Sequence, residues 1–234
     1  MQAQLALGVT LHEDMTFDNF YAGTENQAIL FNLRQFINRT GENFIFLWGR
    51  EGVGISHLLQ ACCHEIVRMG EQAIYLSLSE TYLQPEVLQD LEAFQLICLD
   101  DIDSVLGQTA WESALFYLYN CASEKNVRLL VAAKHAPAIL NCKLPDLHSR
   151  LLWGLALPVN LLADEEKLIA LQIRAQNRGL VLADDVGQFL LRHCARNMTT
   201  LFNLLDRLDA ASLAAKRRLT IPFIKQALCY THRE

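Results

Sequence analysis

The sequence predicts an α/β protein in two parts: a five-stranded parallel sheet with helices on both faces, followed by a small all-helical domain. Two observations carry this prediction. Five short apolar segments of strand length alternate with helical patterns up to Pro158, and no strand-like segment follows that residue. Strands that alternate with helices are typical of a parallel sheet covered on both sides.

The elements follow one another in that order. Apolar periodicity predicts a first helix over 25–39, and the run from Asn43 to Trp48 has the length and composition of a buried strand. A glycine-rich turn then leads into a helix over 56–69. The remaining predicted elements of this part are strands over 73–78, 96–99, 128–133 and 154–159, helices over 85–91 and 109–123, and an irregular stretch after residue 133.

The second part contains helix signals only. Asp164, Glu165 and Glu166 open a helix with acidic residues in its first turn, where they favour the helix dipole, and Gly179 ends it. Further helices are predicted over 184–194, 198–217 and 221–230.

Composition narrows the class of protein. Of the 234 residues, 52% are hydrophobic and 20% are charged, which is typical of a globular chain. No apolar run reaches the ~18–20 residues of a membrane span, and the N-terminus lacks the pattern of a signal peptide. The seven cysteines form no C-x-x-C pair, so we expect reduced thiols and no zinc site. We therefore expect a cytoplasmic protein.

Charge is distributed unevenly between the two parts. Residues 1–150 carry a net charge of −9, whereas residues 151–234 carry +3. The total of −6 makes broad nonspecific binding to DNA unfavourable. The difference between the halves indicates two units with different roles.

A candidate phosphate-binding loop runs from Gly49 to Ser56, between the first strand and its helix. Gly49, Gly54 and Ser56 match the pattern G-x-x-x-x-G-K-[ST], and Gly52 adds a third glycine. Such glycines let backbone N–H groups turn towards an anion. Ile55, however, replaces the lysine, and one lost charge-assisted hydrogen bond costs about 1.5–3 kcal/mol, or about 10–100-fold in affinity. Nucleotide binding and a loop kept only for its turn both stay open.

Two carboxylates follow the apolar strand over 96–99. Asp100 and Asp101 match the Walker B arrangement, in which the first acid faces Mg²⁺ beside Ser56 and the second orients a water molecule. A solvated turn at the end of a strand is the alternative.

These motifs resemble the AAA+ domain of the bacterial replication initiator DnaA. The likeness extends from Thr16-Phe-Asp-Asn-Phe20 through the loop and the two acids to Leu144–Gly154 and Leu219–Ile224, and so covers nearly all of residues 1–230. The order of motifs is most similar to the Hda family of DnaA-related regulators. The resemblance implies a P-loop sheet over 15–158, a helical lid over 159–234, and negative regulation of replication initiation. Such regulators bind the DNA-loaded sliding clamp, the β subunit of DNA polymerase III, and stimulate hydrolysis of DnaA-bound ATP.

The resemblance also implies roles for individual residues. Arg150 matches the family's arginine finger, which acts in trans on the γ-phosphate of a neighbouring subunit; a surface salt bridge is the alternative. A flexible tail over 1–14 carries a segment similar to the clamp-binding peptide, with Gln4, Leu5, Leu7 and Val9 as its contacts. A plain tail is the alternative for that segment.

Departures from an active ATPase accompany these matches. Ile55 replaces the loop lysine, and Thr199 occupies the position of the arginine that relatives direct from the lid to the nucleotide. We therefore expect little or no ATP hydrolysis by the chain itself. The family implies ADP or another nucleoside diphosphate as ligand, with Mg²⁺ at Ser56 and Asp100 when nucleotide is bound.

Two other functions stay open: a self-standing AAA+ ATPase such as a helicase-loading factor, and a scaffold that only recruits replication proteins. The sequence ends after the lid without the DNA-binding domain of DnaA, so we expect indirect or weak DNA contact and no membrane contact. A homo-oligomer is also left open. Trp48, Trp111 and Trp153 are expected to pack in the core or between elements.

Overall fold

The computed structural model describes residues 11–194, 197–215 and 217–230. Its contacts divide these residues into two compact units. The sheet unit comprises residues 11–17, 26–50 and 54–160, and the helical unit comprises 18–25, 51–53 and the described residues from 161 onward. The helical unit therefore takes in two short segments of the predicted sheet domain.

The sheet unit contains five parallel strands, as predicted, in the order β2-β3-β4-β1-β5. Strands β3 and β4 are buried along their whole length and are apolar except for Asp100 at the end of β3 and Arg128 at the start of β4. The strands are β1 Phe44–Trp48, β2 Ala73–Ser77, β3 Leu96–Asp100, β4 Arg128–Ala133 and β5 Leu155–Pro158.

Helices connect the strands and pack on the sheet. The apolar side chains of the second helix, such as Leu58 and Leu59, are fully buried, and so is Phe46 of β1. Burial of these apolar faces is the main force that holds the unit together. The helices of this unit are α1 Gln27–Ile37, α2 Ile55–Arg68, α3 Thr109–Glu124 and α4 Pro145–Trp153.

The helical unit is built on a core of its own. Leu171, Leu190, Leu201 and Leu205 are fully buried there, one or more from each of its first three helices. Its helices are α5 Asp164–Asn177, α6 Asp184–His193, α7 Met198–Ala215 and α8 Ile221–Tyr230. No helix in the described part of the chain is long and apolar enough to cross a membrane.

Two predictions about the sheet unit were wrong. The helix predicted over 85–91 consists of two short 3₁₀ turns, Pro85–Leu88 and Leu91–Ala93, because Asp90 between them has a φ of 59°. The stretch after β4 is not irregular, since it contains helix α4. Pro145 in its first turn and Asp146 beside it are ordinary helix-start signals.

Candidate functional site

The glycine-rich loop has the backbone that a phosphate site requires. Gly52 and Gly54 have φ values of 82° and 96°, in the left-handed region that glycine enters without strain. Gly54 directly precedes α2, so the N-terminus of a 14-residue helix begins at Ile55. Gly49 is buried and donates its N–H to the carbonyl oxygen of Ala133 at 3.2 Å. The loop therefore starts at the carboxyl end of β1 and ends at the N-terminus of α2, where the helix dipole is positive.

Asp100, at the end of β3, lies in a hydrogen-bond network. It is 4% exposed, and Tyr75 on β2 donates its hydroxyl to Oδ2 of Asp100 at 2.9 Å. Oδ1 accepts the backbone N–H of Asp101 at 3.0 Å. Burial raises the pKa of Asp100, and the hydrogen bond from Ser56 partly opposes that rise.

Tyr75 is the side-chain donor to Asp100 from the neighbouring strand. Burial and the adjacent Asp100 carboxylate raise the pKa of Tyr75, so its hydroxyl keeps its proton. Asp101 lies at the turn after β3, with a φ of 53°, and accepts a hydrogen bond from the Ser77 hydroxyl at 3.3 Å. Both acids are therefore held by neighbours on β2.

The loop backbone suits a phosphate. Its glycines and the start of α2 offer N–H donors to an anion, whereas Ile55 supplies no charge. The two side chains expected at Mg²⁺ are those of Ser56 and Asp100. Both oxygens of Asp100 already accept hydrogen bonds, and each keeps a second lone pair that a metal ion can share.

Two other predicted nucleotide contacts, Gly52 and Thr199, lie in the helical unit. A β-carbon on Gly52 would lie 2.5 Å from Oδ1 of Asn197, so both its φ and the available space require glycine. The same Asn197 oxygen accepts the backbone N–H of Thr199 at 2.8 Å, in the first turn of α7. Asn197 therefore acts as the cap of that helix, and Thr199 adds no positive charge.

Gln4, Leu5, Leu7 and Val9, the residues predicted to bind a clamp, lie outside the described residues. The part of the predicted tail that is described, 11–14, is bonded to α2. His12 donates its N–H to Oε1 of the buried Gln60 at 2.8 Å, and the carbonyl oxygen of His12 lies 3.0 Å from Nε2 of His64.

Arg150 lies in the last turn of α4 and is half-buried. Its guanidinium carbon lies 4.8 Å from the ring centroid of Trp153 and 5.8 Å from that of Tyr119. Among the described residues it makes neither a hydrogen bond nor an ion pair. Its N–H donors are therefore available to an anion, and the alternative of a salt-bridged surface arginine finds no support in these contacts.

The loop before α4 is anchored by Glu112 of α3. This carboxylate is 1% exposed and accepts three backbone N–H groups: from Gly107 at 2.7 Å, from Lys143 at 3.0 Å and from Leu144 at 2.8 Å. Burial alone would raise the pKa of Glu112, but the three donors outweigh it and lower that pKa. Glu112 thus fixes the start of the helix that carries Arg150.

Sequence reasoning missed Tyr75 and Glu112, and it misjudged Trp153. Trp153 is 72% exposed and does not pack in the core. Its position three residues after Arg150 on one helix was the available signal, because residues at that spacing share a helix face. Tyr75 and Glu112 lie in ordinary apolar elements with no motif around them.

Comparison with known families agrees with this geometry. A sequence profile described as the bacterial DnaA ATPase domain matches residues 11–158. A second profile, described as the lid domain of Hda, matches residues 164–228. The first match spans more than half of the chain.

Solved structures show the same fold. Domain III of DnaA from Thermotoga maritima superposes with a TM-score of 0.81 at 18% identity, over 97% of this chain and 100% of that one. DnaA from Aquifex aeolicus bound to AMPPCP gives 0.71 at 21% identity, over 85% of this chain and 66% of that one. The Thermotoga maritima RuvB branch migration motor gives 0.68 at 15% identity, over 92% and 71%. The chain therefore belongs to the bacterial DnaA ATPase-domain family, with an AAA+ fold and an Hda-type lid.

Proposed function

We propose that this chain is a negative regulator of replication initiation that stimulates hydrolysis of ATP bound to DnaA. The observation that carries the proposal is Arg150, whose guanidinium carbon lies 4.8 Å and 5.8 Å from two ring centroids and which has no hydrogen-bond or ion-pair partner among the described residues. Membership of the DnaA family and the Hda-type lid support DnaA as the partner.

Arg150 would act on the γ-phosphate of ATP held by DnaA. A guanidinium offers a planar fork of donors that matches phosphate oxygens, and it stabilises the charge that develops on them during transfer. Arginine fingers supplied in this way accelerate hydrolysis by about 10³–10⁵-fold. The product, DnaA with ADP, would no longer start replication.

The chain's own nucleotide site would bind a nucleotide but would not hydrolyse ATP. Ile55 and Thr199 stand where the family pattern has a lysine and an arginine, so two positive charges of that pattern are missing. We propose ADP or another nucleoside diphosphate as ligand, bound mainly by the loop backbone and the start of α2.

The N-terminal tail would bring the protein to the sliding clamp. An extended segment with Gln4, Leu5, Leu7 and Val9 can insert its side chains into an apolar pocket at small contact area. Because the clamp encircles DNA, the acidic chain would reach DNA indirectly. Residues 15–158 would form the ATPase-fold domain and 159–234 the lid.

The finger is tested with Arg150→Ala. Hydrolysis of DnaA-bound ATP is measured with DNA-loaded clamp present, and we expect the stimulated rate to fall about 10³-fold. Arg34→Ala, which removes an exposed arginine from α1, is the matched control and should behave as wild type. An Arg150→Ala protein that stimulates fully would reject the proposal and favour a scaffold.

The tail is tested with the pair Gln4→Ala and Leu7→Ala. Binding to the isolated clamp should be lost, whereas Gln2→Ala should bind as wild type. Undiminished clamp binding by the double variant would exclude this segment as the contact.

ATP hydrolysis measured without DnaA distinguishes a self-standing ATPase from the proposed regulator and from a scaffold. Purified protein that hydrolyses ATP alone, and loses the activity in Asp101→Asn, would establish that rival. We expect no turnover above background in either protein.

A further inference from the structure

Arg150 is held by aromatic faces and not by acidic side chains. The faces belong to Trp153 on the same helix and Tyr119 on α3, with ring centroids 4.8 Å and 5.8 Å from the guanidinium carbon. A cation over a ring face is attracted to it without using its N–H donors. This differs from Arg128, whose donors are taken by the carbonyl oxygen of Gln95 at 3.1 Å, by the carbonyl oxygen of Ile37 and by the Glu71 carboxylate.

One of the two rings, that of Tyr119, packs against a residue of the sheet. Phe44 of β1 meets Tyr119 edge to face, with ring centroids 5.1 Å apart and planes at 82°. Phe44 also packs on the backbone of Gly154, where an added β-carbon would lie 2.1 Å from its Cδ1. Gly154 directly follows Trp153, so Phe44 sets both the tilt of Tyr119 and the end of α4.

The two rings differ in exposure. Tyr119 is half-buried, whereas Trp153 is 72% exposed. The cation–π contacts leave the N–H donors of Arg150 available to an anion, because no hydrogen-bond or ion-pair partner among the described residues occupies them.

We propose that Tyr119 and Trp153 are positioning residues that hold the Arg150 guanidinium ready for a phosphate on the partner protein. The inference rests on the proposed function for its partner, DnaA-bound ATP. Holding a long side chain in place before the encounter reduces the entropy that is lost when it docks. The rings act through Arg150 and do not themselves need to contact the nucleotide.

The competing role for Trp153 is direct docking onto the partner protein. The two roles separate in a titration of this protein against ATP-loaded DnaA with DNA-loaded clamp. A positioning role changes the maximal rate of hydrolysis, whereas a docking role changes the concentration that gives half of that rate.

The test uses Trp153→Ala, Trp153→Phe and the control Leu152→Ala, which removes the exposed neighbouring side chain. We expect Trp153→Ala to lower the maximal rate about 3- to 30-fold at an unchanged half-saturating concentration. Trp153→Phe, which keeps a ring face, should recover most of the rate, and Leu152→Ala should match wild type. Trp153→Ala should have no further effect in an Arg150→Ala background, because the two side chains act as one unit.

A second readout does not involve DnaA. The Nε–Hε resonance of Arg150, assigned by its absence from Arg150→Lys, should be shifted upfield by the ring current of Trp153 and should move back in Trp153→Ala. An unshifted resonance, or one that Trp153→Ala leaves in place, would overturn the proposal even if Arg150 is the finger.

The remaining outcomes are equally definite. A raised half-saturating concentration with an unchanged maximal rate would assign Trp153 to docking and overturn the positioning role. A higher maximal rate in Trp153→Ala would mean that the rings restrain Arg150, which also overturns it. If Arg150→Ala stimulates fully while the ring-current shift is present, the proposed function fails but the aromatic contact stands.

Discussion

The region beside the glycine-rich loop and the end of α4 differ in how their charged side chains are hydrogen-bonded. Beside the loop, the Tyr75 hydroxyl and the Asp101 backbone N–H satisfy the Asp100 carboxylate from inside the protein. At the end of α4, Arg150 has no hydrogen-bonding partner among the described residues and is held by ring faces alone. The Asp100 carboxylate is satisfied within the protein, whereas the N–H donors of Arg150 stay available to a ligand.

The two regions of one AAA+ fold therefore differ in what a ligand would meet. A buried carboxylate that already accepts hydrogen bonds is satisfied without a ligand, and each of its oxygens keeps one more lone pair. A guanidinium whose donors meet no protein group exchanges only water for an arriving phosphate.

At the loop, the largest expected effect is that of restoring the positive charge. Ile55→Lys should tighten ADP binding about 10–100-fold, because a charge-assisted hydrogen bond to phosphate contributes about 1.5–3 kcal/mol. Isothermal titration calorimetry measures the change, with Ile55→Met as the uncharged control. Equal affinity in the Lys and Met variants would show that the loop does not bind phosphate in the expected way.

The next effect concerns the anchor of α4. Glu112→Gln should lower the free energy of unfolding by about 2 kcal/mol at pH 7, because a buried carboxylate with three backbone donors is replaced by a neutral amide. The folded-state pKa of Glu112 is lowered, so its contribution is complete above the unfolded pKa of about 4.3 and is lost as pH falls through the folded pKa. The gap to wild type should therefore shrink in acid.

Urea denaturation at several pH values from 7 downward measures that gap. Glu124→Gln, at an exposed position of the same helix, is the control and should change stability little. A gap that stays constant as pH falls would mean that the Glu112 charge does not hold the loop.

The smallest effect tests whether the loop site is satisfied internally. Tyr75→Phe removes the hydroxyl that donates to Asp100 and should lower the free energy of unfolding by about 1 kcal/mol. Thermal or urea denaturation detects it, with the exposed Tyr82→Phe as control. A Tyr75→Phe protein as stable as wild type would argue that the Asp100 network contributes nothing to the fold.

The elements that the sequence predicted correctly are those marked by a local sequence pattern. Apolar runs such as Phe44–Trp48 and 96–99 predicted their strands, because a strand covered on both faces is mostly apolar. The wrong elements were short ones. Pro145–Trp153 has nine residues and depends on tertiary anchors such as Glu112, so periodicity alone was too weak to reveal it.

The sequence by itself determined the fold class through the alternation of strands and helices. It also determined the candidate site, because the loop, the two acids and Arg150 match known motifs in order and spacing. Contacts that join residues far apart were decided only by the tertiary structure: Tyr75 meets Asp100 across 25 positions, and Glu112 meets Leu144 across 32. Strand order brings the first pair together and helix packing the second, and neither leaves a local pattern. The same physical reason applies to Arg150: a motif predicts an arginine there, but only the packing of Phe44, Tyr119 and Trp153 decides what holds it.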